Sequence, residues 1–192
     1  TAGFHDARYE DYLASAIAIG PAIAAAGAQP LGATIRAAVA ATSRWVPSNT
    51  NLGMVLLLAP LARAAMQPGP EPFRTRLSDV LATTTVLDAR EAYAAIRLAS
   101  PAGLGRAAEQ DVASEPTVTL REAMALAAER DAIAREYLTD FAMTFEVGHP
   151  ALRLARAAGL GWSDATLETY LTLLAAAPDT HVARKLGAEA AA

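Results

Sequence analysis

The sequence predicts an all-α protein, a single-domain multi-helix bundle with two buried central helices. Three observations carry this. Hydrophobic residues make up 53% of the 192 residues but aromatics only 6%, with alanine, the strongest helix former, dominating. Apolar positions recur at helical spacing along most segments. β-branched residues are scattered rather than alternating, so no strand pattern competes.

Charge and cysteine usage narrow the function classes. Sixteen Lys+Arg against twenty Asp+Glu give a net charge of −4. No basic stripe stands out, which argues against nucleic acid as a partner. The absence of cysteine excludes disulfides and Cys-based zinc sites and suits a cytoplasmic location. The most apolar run, Leu52–Ala62, is about half the roughly 20 residues a membrane span needs, so no membrane association is expected. No signal peptide is visible. Thr1-Ala2-Gly3 does not read as a native start, and residues are expected before it.

In chain order, Phe4–Arg8 reads as a loop. Tyr9–Ala26 follows as a helix with Tyr12, Leu13, Ala16, Ile19 and Ile23 inward, kinked or restarted at Pro21. Leu31–Trp45 is a second helix with Ile35, Val39 and Trp45 inward. The turn Pro47-Ser48-Asn49-Thr50-Asn51 caps a third, Asn51–Met66, apolar nearly all round and so expected at the centre. After a Pro/Gly linker, Phe73–Leu81 is a short helix. Thr85 with Asp88 forms a capping box for Val86–Ala99, and Thr119 with Glu122 forms another for a long second central helix, Thr119–Phe145. Met124, Ala127, Ala128, Ile133, Ala134, Tyr137 and Phe141 should line its buried side. Gly148-His149-Pro150 is expected to stop it, and Ala151–Ala158, Ser163–Ala176 and Thr180–Ala191 complete the chain.

The most irregular and chemically loaded stretch is Ala95–Tyr137. It breaks at Ser100-Pro101 and passes Gly103, Gly105, Arg106, Glu109 and Asp111 before helix resumes. Loops of this length in compact domains are usually functional or disordered, and glycines let backbone approach a ligand. Three further groups carry chemistry. Asn49-Thr50-Asn51-Leu52-Gly53 places amides at a helix N-terminus, which favours anions; plain capping is the competing reading. Glu109, Asp111, Glu122, Glu129 and Asp131 suit a magnesium–polyphosphate site or simply a solvated acidic face, and Asp131 could pair with Arg135 on the surface. Pro178-Asp179-Thr180-His181 with Arg184 and Lys185 suits an anionic ligand or is an exposed basic helix end.

On these residues the sequence resembles the triphosphoribosyl-dephospho-CoA synthase family. The resembling segments include Phe4-His5-Asp6, Leu13-Ala14-Ser15-Ala16, Asn49–Gly53, Ala95–Ala99, Gly103-Leu104-Gly105, Glu109–Val112, Ala123–Asp131 and Pro178–His181 with Ala183-Arg184-Lys185. Three departures stand out. The family's Lys-Pro-Gly-Asn and Asn-Pro-Gly-Thr stretches fall outside this chain, which implies shortening at both ends. Its first loop glycine is Ala102 here, a strained replacement if that position needs a positive φ.

The resemblance implies an all-α pentosyl transferase. It moves the triphosphoribosyl group of ATP onto the 2′-hydroxyl of 3′-dephospho-CoA and releases adenine, with Mg²⁺ on the triphosphate. It implies catalytic roles for Asp111, Glu129 and His181. Nucleotide contacts fall to Asn49, Asn51, Gly53, Gly103, Gly105, Arg130, Arg184 and Lys185, and metal ligation to Asp111 and Asp131. ATP is expected between the Pro101–Asp111 loop, the start of the Asn51 helix and the turn at Glu129–Asp131. Homo-oligomerisation through Ala-rich faces is a further expectation. Two other readings stay open: a related ribosyl or phosphoribosyl transferase of cofactor biosynthesis, and a non-catalytic helical interaction module.

Overall fold

A computed structural model of the chain describes residues 7–101, 105–180 and 182–183. Among them are nine α-helices, one π-helical segment and no strand, as the alanine-rich periodicity predicts. The contacts fall into two compact units, Thr1–Leu126 and Ala127–Ala192.

In the first unit, α1 (Tyr9–Ala24) and α2 (Leu31–Ser43) form a hairpin. α1 opens on a reciprocal cap in which Arg8 N–H donates to Asp11 Oδ2 at 2.7 Å. Pro21 lies inside α1 without breaking it. The buried face differs from the predicted one. Ser15 and Ile19 point inward, while Leu13 is 48% exposed and Ala16 is also outside. Ser15 sets this rotation: its hydroxyl donates to the Asp11 carbonyl and pairs with the Thr50 hydroxyl. Trp45 also departs from expectation, at 75% exposed. α2 ends at Ser43, so Trp45 lies beyond the helical register, and Val46 fills the inward place.

α3 (Leu52–Met66) buries Leu52, Val55, Leu56, Ala59, Pro60 and Ala64 but leaves Met54 and Leu58 exposed. It is therefore central on one side only. Arg63 near its end donates through Nη1 to the Ala26 carbonyl at 3.1 Å and also to the Gln29 carbonyl, satisfying oxygens of the α1–α2 turn. α4 (Phe73–Ala82) packs on α3.

α5 (Val86–Ala99) makes its most extensive contact with α2. Its predicted capping box is present: Thr85 N–H donates to Asp88 Oδ2 at 2.8 Å, and Asp88 N–H to Thr85 Oγ1 at 3.1 Å. Asp88 also reaches across to α2, where Oδ1 accepts from Gly32 N–H at 2.8 Å. The crossing is so close that a Cβ on Gly32 would lie 2.5 Å from the Asp88 Cα and carbonyl oxygen.

The predicted long helix Thr119–Phe145 is not continuous. It divides into α6 (Leu120–Ala127), α7 (Ala132–Leu138) and a π-helical segment, Met143–Gly148. Asp131 causes the first break, because its extended backbone (φ −139°, ψ 119°) and Oδ1, which accepts from Ala134 N–H at 3.0 Å, start a new helix. Asp140 and Phe141 cause the second, with left-handed φ values of 50° and 61°. Of the predicted inward residues, Met124, Ala128, Ala134, Tyr137 and Phe141 are buried; Ala127 and Ile133 are half-buried.

Gly148-His149-Pro150 does not stop the chain. The π segment passes straight into α8 (His149–Ala157), with Pro150 tolerated in the first helical turn. α9 (Trp162–Ala176) packs against α8 and the π segment. The predicted helix Thr180–Ala191 lies largely outside the described residues.

The Gly32–Asp88 contact generates a test. Glycine to alanine in a helix interior ordinarily gains about 0.5–1 kcal/mol. Here the new Cβ must push α2 off α5, so Gly32→Ala should lower unfolding free energy by about 1–3 kcal/mol in a urea titration. Unchanged or higher stability would mean that the crossing is looser than described.

Candidate functional site

The Asn49–Gly53 turn forms the first part of the site. Val46 anchors the preceding segment, and Thr50 and Asn51 fold inward against α1 and α2. Asn51 is 5% exposed. Its Nδ2 donates to Thr42 Oγ1 at 2.9 Å and to the Ser15 carbonyl at 3.4 Å. Ser15 donates to Asp11, which leaves the Thr50 hydroxyl to donate to Ser15. Thr42, Thr50, Asn51 and Ser15 are thus one buried polar network joining α1, α2 and α3. Asn51 builds this network from inside. Asn49 is exposed, and its Oδ1 accepts from Leu52 N–H at 3.1 Å, capping α3. Gly53 is half-buried in the first turn of α3.

The loop after α5 forms the second part. Ser100 ends α5 in the left-handed region at φ 44°. Gly105 (φ 67°) and Gln110 (φ 49°) share that conformation, and the space where a Gly105 Cβ would stand is open. Asp111 is half-buried and organises the loop locally: Oδ2 accepts from Ala107 N–H at 2.6 Å and Oδ1 from Ala113 N–H at 2.8 Å.

Three residues that sequence reasoning did not single out bind the loop back along α5. Tyr93 donates its hydroxyl to the Gln110 carbonyl at 2.5 Å, and Arg97 Nη1 donates to the Val112 carbonyl at 2.7 Å. Glu115 lies 3.7 Å from both the Arg90 and Arg97 guanidinium groups. The signals were the four-residue spacing of Tyr93 and Arg97 on an otherwise Ala-rich helix and the place of Arg97 in the resembling segment Ala95–Ala99.

The loop closes on the start of α5. Leu120 N–H donates to the Thr85 carbonyl at 3.3 Å, and Arg121 N–H to Thr84 Oγ1 at 3.1 Å. The predicted Thr119–Glu122 box is present, with Glu122 Oε2 accepting from Thr119 N–H and Oγ1, both at 2.8 Å. The bond from the Thr119 backbone, then that from its hydroxyl, holds the Glu122 carboxyl below its usual value.

In the second unit, Glu129 and Arg130 are exposed in the turn before α7, and Asp131 caps α7. Arg135 Nε donates to the Ala128 carbonyl at 3.1 Å. Glu136, missed by sequence reasoning, is buried. Its carboxylate accepts from Met143 N–H and Thr144 N–H at 3.0 Å each, and from Thr144 Oγ1 at 2.5 Å. Among the described residues no group of three His, Cys, Asp or Glu is arranged to hold a metal. No helix among them is long and apolar enough to cross a membrane. Gly103, His181, Arg184 and Lys185, together with Ala102, lie outside the described residues.

A model of the CitG family, ATP:dephospho-CoA triphosphoribosyl transferase, matches residues 1–192. Among solved structures, the chain is similar to one from Archaeoglobus fulgidus described as a "putative triphosphoribosyl-dephospho-CoA synthase". The identity is 27% and the TM-score 0.76, over 96% of this chain and 78% of that one. No curated protein gives a significant match.

The Glu122 cap makes a pH prediction. A carboxyl whose folded value is depressed contributes stability that is present above its unfolded value, about 4.3. That stability disappears as pH falls through the folded value. Amide-exchange protection of Thr119, corrected for intrinsic rates, should be flat from neutral pH to about 5 and fall below about 4. Glu122→Gln, which can still accept the bonds, should remove the acid limb. An unchanged acid limb in that variant would assign it to another group.

Proposed function

The chain belongs to the ATP:dephospho-CoA triphosphoribosyl transferase family, and from that premise we propose that the Asn49–Gly53 turn and the Gly105–Asp111 segment meet its substrates. The reaction is transfer of the triphosphoribosyl group of ATP to the 2′-hydroxyl of 3′-dephospho-CoA with release of adenine. The match of the family model along the whole chain carries this reading.

The glycosidic C1′–N9 bond of ATP breaks and a C1′–O2′ bond forms. Adenine leaves with the electron pair and gains a proton; the acceptor hydroxyl loses one. The transition state is oxocarbenium-like, so a carboxylate near C1′ stabilises it and another can take the hydroxyl proton. Asp111 suits the first task because two backbone N–H groups hold it in place on irregular backbone. Glu129, exposed in the second unit, is the candidate for the second. Asn49 stands at the N-terminus of α3, where anionic phosphate is favoured. Arg130, Arg184 and Lys185 are the proposed phosphate cations, and His181 the proposed donor to adenine.

Mg²⁺ bound with a triphosphate needs only one or two protein carboxylates. Asp111 is a carboxylate held on irregular backbone by the Ala107 and Ala113 N–H groups, and a hard oxygen donor of this kind suits an ion that arrives on ATP. When bound, that ion neutralises triphosphate charge. Asp131 is a separate candidate ligand in the second unit. The reaction is proposed to take place in the cytoplasm, a location that a chain without cysteine suits.

Two variants test these roles. Asp111→Asn keeps only one good acceptor, so the loop should lose about 0.5–1.5 kcal/mol of stability. Adenine release should fall at least about a hundredfold. A lower melting temperature with full adenine release would leave Asp111 a purely architectural residue. Asp131→Asn preserves the α7 cap, since Asn and Asp cap equally well. It should leave melting unchanged while raising the Mg²⁺ concentration needed for half-maximal rate by about tenfold or more; an unchanged Mg²⁺ titration removes Asp131 from the metal.

A further inference from the structure

A groove of about 500 Å³ runs along the first unit between α1 and α2, within the size range of small-molecule sites. Its walls are small or apolar: Ile17, Pro21 and Ala22 from α1, Ala37 and Ala41 from α2. Alanines facing one another hold the helix backbones apart by little more than a methyl group on each side and leave a trough. Ile17 is 78% exposed and Trp45 75% exposed, both at this trough. Large apolar groups standing in water beside one concavity mark a binding surface more than scattered ones do.

Charge and order along the trough narrow its occupant. Arg44 is the only ionisable residue lining it, and no ion pair of Arg44 is found among the described residues. Helices joined by a short turn lie antiparallel, so Gln29 and Thr34 mark one end and Arg44 with Trp45 the other. From Trp45 the chain reaches Asn49 within four residues. Moving along the trough, a ligand would therefore meet an amide, an apolar floor, a guanidinium and then the turn that opens α3. Dephospho-CoA has matching parts in that order: an amide-containing pantetheine arm, a diphosphate, and the adenosine whose 2′-hydroxyl reacts. ATP has no apolar arm to fill the trough.

We propose that the α1–α2 trough binds the pantetheine arm of dephospho-CoA, with Arg44 on its diphosphate, so that the acceptor adenosine is delivered toward Asn49. This rests on the transferase reading above. Ala37 is exposed on the trough wall, so Ala37→Phe fills the space without entering the core.

The chain has two tryptophans, and Trp162→Phe leaves Trp45 as the sole indole reporter. In that background, dephospho-CoA and 4′-phosphopantetheine should each change Trp45 emission. Ala37→Phe and Arg44→Glu should each weaken both ligands at least about tenfold, while ATP affinity measured by calorimetry changes less than about twofold. Dephospho-CoA affinity unchanged in Ala37→Phe, with adenine release intact, overturns the trough and leaves the transferase reading standing. A wild-type chain that binds ATP but neither dephospho-CoA nor its arm overturns both. A change of molecular mass in Ala37→Phe without a change of affinity would make the trough a face between copies of this chain, and would also overturn the proposal.

Discussion

The first unit depends on one buried carboxylate. Asp88 accepts from Gly32 N–H on α2 and from both the backbone and hydroxyl of Thr85 at the start of α5. A charged group persists in the interior only where donors replace its water. Here those donors come from two helices, so satisfying the charge also fixes the crossing. Glycine at position 32 is the steric counterpart, since only a residue without Cβ admits the Asp88 backbone at that range. Thr84 and Thr85 then extend the same anchor to α6. The loop that carries Asp111 therefore leaves from one end of α5 and returns to the other, with Tyr93 and Arg97 holding it between.

What the sequence disclosed follows from the kind of signal involved. Capping boxes are short, local and polar. Thr85–Asp88 and Thr119–Glu122 were both legible, and α5 begins and ends where predicted. Helix faces were less legible. When alanine occupies most positions, almost any rotation shows an apolar stripe, and a stripe that places Leu13 and Trp45 inward is no better marked than the observed one, which leaves both exposed. The face of α1 is instead decided by Ser15, whose partner Thr50 is remote in sequence. The unbroken Thr119–Phe145 helix failed for a related reason. Asp131 reads in the sequence as a surface charge or metal ligand, but an acid three residues before Ala134 is also an N-cap. The left-handed Asp140-Phe141 pair carries no glycine to announce it.

The candidate site shows the same division. That Asp111 would lie on irregular backbone was readable from the break at Ser100-Pro101 and the glycines that follow it. That Asn51 would face inward was not, because its amide partners, Thr42 and Ser15, come from two other helices. The Asn-Thr-Asn turn therefore combines two residues that bind the scaffold together with one, Asn49, that stands outside. Buried polar networks of this kind are specific when every member is satisfied. Here the network holds the exposed Asn49 at a fixed place on the rim of α3.

The route of the Asp111 loop leaves the chain with slack. α5 has 14 residues, so its two ends are about 21 Å apart. The chain from Ser100 to Thr119, drawn out straight, would reach roughly 65 Å. The return to Thr84 and Thr85 is therefore set by the hydrogen bonds at its end and not by tension in the connection. Because the cost of closing a loop grows only with the logarithm of its length, residues could be added or lost around Gly105 while α6 still starts from the same threonines. Length in this segment is then free to vary without disturbing the helices beneath.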